Sequence, residues 1–113
     1  MDYHSEYNQK LVTAEKAAQT VKSGDWVDFG WGNGTSAAFD KALAARMPEL
    51  QGVNIRGGVV LRELEIFKIN DPAAHFTWNS WHMSGYERKT IAAGFGYYGP
   101  LRYSELPRWY YEN

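Results

Sequence analysis

Apolar residues first recur at helical spacing in Ala14, Ala17, Ala18 and Val21. Thr13 stands ahead of them as an N-cap, and Glu15 lies in the first turn, where the helix dipole favours an anion. Lys16 occupies the place a capping box reserves for Glu or Gln, so the reciprocal cap is missing. Gly24 suits the left-handed position beyond the last turn, after Lys22. Residues 26–29, short and β-prone, then read as a first strand.

The following Gly30-Trp31-Gly32-Asn33-Gly34 cannot be regular structure and predicts a loop. Thr35 or Ser36 caps a second helix, whose Ala38, Phe39, Ala42, Leu43 and Met47 make a broad apolar face that Pro48 ends. Past Gly52, residues 53–56 read as a second strand opening into Gly57-Gly58. Parallel pairing with the first strand through a right-handed crossover makes a βαβ unit. Residues 59–70 suit a short helix on Leu61, Leu64 and Phe67, or a strand on Leu64 and Ile66, and the pattern leaves both open. Asp71-Pro72 breaks the chain. Residues 75–78 alternate polar and aromatic positions as a third strand, and 86–93 predict a short helix closed by Gly94, entered through a Ser84-Gly85 turn. Tyr97-Tyr98-Gly99-Pro100 predicts a turn.

Composition narrows the class. The 113 residues are 44% hydrophobic and 22% charged, so one folded domain over 1–113 is expected. Twelve Lys+Arg against thirteen Asp+Glu give a net charge of -1 with no basic patch, which argues against nucleic acid as a partner. The absence of cysteine excludes disulfides, thiolate nucleophiles and Cys-type zinc sites, and makes a cytoplasmic location the default expectation. No run approaches the ~18 consecutive apolar residues of a membrane span, and the opening residues do not resemble a secretory leader, so a soluble chain without a membrane partner is expected. Aromatics reach 16% and crowd the end as Phe95, Tyr97, Tyr98, Tyr103, Trp109, Tyr110 and Tyr111. So small a domain has trouble hiding that many rings, and some are expected to meet a partner.

Candidate chemistry centres on the glycine loop. Between a strand and a helix it would present backbone N–H groups to a phosphate, carboxylate or oxyanion. Gly30 and Gly32 match the start of a dinucleotide fingerprint, but Thr35 holds the third glycine position and no P-loop Gly-Lys-Ser/Thr follows. A turn that merely needs positive φ explains the same residues, and Gly57-Gly58 carries the same ambiguity. His4, His75 and His82 lack metal-ligand spacing and read as hydrogen-bonded structural residues. Glu63 and Glu65 would share a face only in a strand, while capping accounts for Glu87 and Glu105 as well as catalysis does. Ser36, Ser80 and Ser84 have no nucleophile elbow.

An ordered series of short elements resembles the N-terminal region of the acetyl-CoA hydrolase/CoA-transferase family, in particular its short-chain type acting between butyryl-CoA or 4-hydroxybutyryl-CoA and acetate. The series comprises Thr13-Ala14-Glu15, Val21-Lys22-Ser23-Gly24-Asp25, Phe29-Gly30-Trp31-Gly32, Ala42-Leu43-Ala44-Ala45-Arg46 and Val53-Asn54-Ile55. Ser84-Gly85-Tyr86-Glu87-Arg88-Lys89, Gly94, Tyr98-Gly99-Pro100 and Tyr103-Ser104-Glu105-Leu106-Pro107 continue it.

The resemblance implies an α/β fold, an open and mostly parallel sheet with flanking helices, incomplete as a family domain. It implies a CoA-transferase in which a glutamate attacks the thioester and passes through a glutamyl-CoA thioester. Coenzyme A is then a substrate and no permanently bound cofactor is expected. Gly30, Trp31, Gly32, Asn33, Gly34, Gly57 and Gly58 would border the acyl or CoA pocket. Nothing in the chain matches the family's nucleophile motif, so the catalytic Glu and the C-terminal half are expected on polypeptide outside it, and the chain alone is expected to be inert. Expected partners are a short-chain acyl-CoA, a carboxylate and that missing half, with a homo-oligomer left open. A non-catalytic nucleotide- or phosphate-binding module, an acetyl-CoA hydrolase fragment and an interaction domain are the alternatives.

Overall fold

A computed structural model describes residues 2–112. Helices α1 (Tyr3–Lys10) and α2 (Ala14–Ala18) lead into strand β1 (Trp26–Trp31), helix α3 (Ala37–Arg46) and strand β2 (Val53–Gly58). The one-turn helix α4 (Pro72–His75), strand β3 (Phe76–Ser80), helix α5 (Gly85–Ala92), strand β4 (Gly96–Tyr98) and helix α6 (Leu106–Glu112) follow. The four strands form one sheet in the order β1-β2-β3-β4, and every neighbouring pair is parallel. The expected α/β architecture and βαβ unit are therefore present.

Right-handed crossovers in a sheet whose spatial order is its chain order bring all connections to one face. The core lies there: Phe29, Val53, Ile55, Phe76 and Trp78 meet Ala18, Leu43 and Met47 from the helices, and Val60, Leu64 and Ile66 from the β2–α4 connection. Alternation along β2 buries Val53 and Ile55 and turns Asn54 and Arg56 to the opposite face. That second face, which also carries Asp28 and Trp81, is where α6 sits.

Several local expectations needed adjustment. Helix α2 stops at Ala18 instead of running through Val21: the chain tightens into turns in which the Thr20 and Val21 N–H groups donate to the Ala17 and Ala18 carbonyls, and the Arg46 side chain of α3 donates to the Ala18 and Val21 carbonyls. Of the two caps the sequence offered for α3, Ser36 is the one used, its hydroxyl accepting from the Phe39 N–H at 3.3 Å. Residues 59–70, which the pattern left open between a short helix and a strand, form neither; a single 3-10 turn, Glu65–Lys68, interrupts an irregular path. Residues 97 and 98, read as a turn, instead pair with Asn79 and Ser80 in β4. Helices α1 and α6 have no counterpart in the periodicity reading, as neither buries a residue.

Candidate functional site

The C-terminal ends of β1, β2 and β3 meet at the glycine loop. Pairing of β1 with β2 slips between Asp28 and Trp31, where Gly30 adopts φ +68° and its N–H donates to Asp28 Oδ1 at 2.7 Å. A side chain would be strained in that conformation. Gly32–Gly34 then makes one 3-10 turn ahead of the Ser36 cap, which brings the loop to the α3 N-terminus. A cavity of about 460 Å³ between Gly30, Gly34 and Phe39 lies on one side of the loop. A second, of about 240 Å³, opens on the other side between Gly32, Asn33, Thr35, Val60, Leu61 and Arg62.

Gly57 and Gly58 close the floor. A Cβ on Gly57 would lie 2.9 Å from the Gly30 carbonyl oxygen and 3.1 Å from the Trp78 ring, so only a glycine lets β1 and β3 close around this point. Gly58 abuts the His82 backbone and the Trp31 ring. Trp31 in turn packs on His82, Trp81 and Tyr103 with centroid distances of 4.9, 5.8 and 5.8 Å. All seven loop and floor residues singled out in the sequence are thus gathered at one edge of the sheet.

Three buried polar atoms there lack a hydrogen-bond partner among the described residues: Trp31 Nε1, Thr35 Oγ1 and Arg62 Nη2. Burying such a group without a partner costs about 1–3 kcal/mol, which an incoming acceptor offsets. Nη1 of the Arg62 guanidinium is already engaged, 2.6 Å from Asp40 Oδ2. Asp40 is fully buried and also accepts from the Glu65 and Ile66 N–H groups at 2.9 and 3.2 Å. One aspartate of α3 therefore anchors the middle of the β2–α4 connection and aims Arg62. Neither residue was a sequence candidate; no local spacing signals a contact formed across 22 positions.

Glu87, read as a possible cap, does more than cap. Glu87 stands in the first turn of α5 and caps the Ser84 backbone N–H, the carboxylate half of a capping box. Its carboxylate is fully buried and accepts from the Ser84 N–H (2.7 Å), the Val60 N–H (3.2 Å), the Ser80 hydroxyl (2.7 Å) and Trp78 Nε1 (3.2 Å).

On the opposite face, Arg56 lies inside an aromatic cage. Its guanidinium carbon is 5.9 Å from the Trp26 ring centre, 5.7 Å from Trp81, 5.5 Å from Trp109 and 4.3 Å from Tyr110. Arg56 Nε is 3.1 Å from Asp28 Oδ2, to which the Tyr110 hydroxyl also donates. Burial, the bond to Asp28 and that carboxylate's charge together push the Tyr110 phenol up to about 12, with Arg56 opposing. The cage pins α6 to the sheet.

The remaining candidates stand apart from the cleft or serve the scaffold. The His75 and His82 rings hydrogen-bond to the Leu50 and Leu101 carbonyls, and no cluster of His, Asp and Glu fit to hold a metal occurs among the described residues. His4 is exposed on α1. Glu65 pairs with Lys68 at 2.7 Å, and that bond draws its carboxyl below the usual range. Among the described residues no helix is long and apolar enough to cross a membrane.

The sequence profile of the Acetyl-CoA hydrolase/transferase N-terminal domain matches residues 1–112. The chain is 62% identical, over 97% of its length, to a butyryl-CoA:acetate CoA-transferase of Anaerostipes caccae, of which it covers 25%. It is 44% identical, over 90% of its length, to a probable butyrate:acetyl-CoA coenzyme A-transferase of Syntrophomonas wolfei, of which it covers 23%. It thus spans about a quarter of the length of the curated relatives it matches. Among solved structures, RipA from Yersinia pestis shares the fold, with a TM-score of 0.76 and 22% identity over 96% of this chain and 27% of RipA. With a profile match over nearly every residue and 62% identity to a full-length relative, the chain belongs to the acetyl-CoA hydrolase/transferase family, through its N-terminal domain.

Proposed function

We propose that this chain forms one wall of the acyl-CoA cleft of a CoA-transferase, which moves CoA between a short-chain acyl-CoA of the butyryl kind and a carboxylate such as acetate. The observation that carries the reading is the strand-end cleft, where a glycine loop and a helix start border a cavity lined by Thr35 and Arg62, each of which holds an unpartnered polar atom. The names of the relatives supply the reaction class.

In this reading Gly32, Asn33 and Gly34 offer donors to a thioester oxyanion or a CoA phosphate, since amides at a helix start favour negative charge. Gly30, Gly57 and Gly58 keep the floor thin enough for substrate to approach, and Trp31 supplies a flat apolar wall. The nucleophilic glutamate comes from polypeptide outside the chain. It attacks the acyl carbonyl and expels CoA thiolate, giving an acyl-glutamyl anhydride. The thiolate attacks the glutamyl carbonyl of that anhydride, which releases the first carboxylate and leaves a glutamyl-CoA thioester for the second carboxylate to resolve. The buried acids of this chain are committed elsewhere: Asp40 to Arg62 and two amides, Glu87 to its four donors.

Calorimetric titration of the 113-residue chain with CoA, NAD and ATP tests the cleft. Binding of CoA in preference to NAD supports the reading. Binding of NAD or ATP without CoA would replace it with a nucleotide-binding module.

A further inference from the structure

Val59 lies just past the end of β2, next in the chain to Val60 of the smaller cavity, 37% exposed and with φ +50°. A β-branched residue rarely occupies that left-handed region, so the surrounding structure must enforce it. Two bonds do so. The Val59 N–H donates to the His82 carbonyl at 2.7 Å, and the Val60 N–H donates to Glu87 Oε2 at 3.2 Å. One acceptor lies in the connection from β3 into α5 and the other in the first turn of α5, so adjoining stretches of chain hold the strained turn from two sides. Val60 itself lines the smaller cavity.

The carboxylate is matched to that task by its partners. The Val60 and Ser84 N–H groups share Oε2, while Trp78 Nε1 and the Ser80 hydroxyl share Oε1. Both oxygens are required as acceptors, because three of the four donors, two backbone amides and an indole, have no acceptor capacity to offer instead. An amide in place of the carboxylate would turn its NH₂ toward one of these pairs.

We propose that Glu87 is a positioning residue that sets the cleft wall, by holding the Val59–Val60 turn in its left-handed conformation where the acyl-CoA is received. This rests on the cleft reading above for its ligand, but not for the turn itself. Glu87 does not touch substrate; it acts through Val60 from beneath the wall.

Amide hydrogen exchange of the 113-residue chain separates this role from general core stability. In Glu87→Gln, protection at Val60 should fall by about tenfold or more relative to Ile55 in β2, the loss of one charge-assisted bond. Equal loss at Val60 and Ile55 overturns the proposal. Ser80→Ala deletes a single donor and covers the case in which Glu87→Gln does not fold. It should loosen Val60 more than Ile55, and equal loosening again refutes the role.

The consequence for the ligand is read separately, as weaker CoA binding by the folded Glu87→Gln chain. If the unsubstituted chain binds no CoA, the cleft reading fails while the exchange data still decide on the turn. Unchanged CoA affinity alongside a loosened turn contradicts the placing of Val59–Val60 on the binding wall.

Discussion

Asp40 and Asp28 show how the same residue type is used in two ways, one buried under the cleft and one on the outer face. Asp40 has no exposure and holds two backbone amides as well as Arg62. Asp40→Ala leaves those donors unpaired and should lower stability by about 3 kcal/mol, as read from urea unfolding, while freeing residues 62–66. Asp28 works with Tyr110, whose phenol ionises near 10 when unperturbed and is pushed up to about 12 here. The fold favours the protonated phenol, so its contribution is complete below pH ~10 and is lost as pH rises through about 12. Tryptophan fluorescence should report release of α6 in that window, and Tyr110→Phe should abolish this step. At this scale the glycines were legible from the sequence, since Gly30 and Gly32 advertise a backbone requirement by type. Asp40, Arg62 and Arg56 were not, because their partners are chosen by the fold.

Among the elements, β1 and β2 owe their close approach at the cleft to paired glycines. Gly57→Ala would push a methyl into the Gly30 carbonyl and the Trp78 ring, costing about 1–3 kcal/mol and displacing the loop, so CoA affinity should drop with stability. Ser36→Ala at the α3 cap should cost about 1 kcal/mol with the loop left in place, and calorimetry beside thermal unfolding distinguishes the two variants. Helix α3 and strand β2 were readable because their periodicity is that of a one-sided core. Residues 59–70 were not, because Asp40 rather than a backbone ladder satisfies their amides at Glu65 and Ile66. Strand β4 was hidden in a similar way: its Gly96 is chosen for contact with Ile91 and Trp78, and Tyr97 and Tyr98 remain exposed, so no alternating apolar pattern marks it.

For the molecule as a whole, four parallel strands in chain order gather the core on one face and bring the strand ends to a common edge. The ring-rich end divides: Phe95 joins the core and Trp109 joins the Arg56 cage, while Tyr97, Tyr103 and Tyr111 stay 69%, 74% and 90% exposed. The ordered series of short motifs made the family legible. The buried anchors beneath the cleft, which no single motif encodes, emerged from the packing.

The most direct measurement grafts this chain onto the Anaerostipes caccae butyryl-CoA:acetate CoA-transferase in place of the matching quarter and assays CoA transfer from butyryl-CoA to acetate. The account predicts transfer by the chimera and none by the 113-residue chain alone. A folded chimera that fails to transfer CoA, or turnover by the isolated chain, would contradict it.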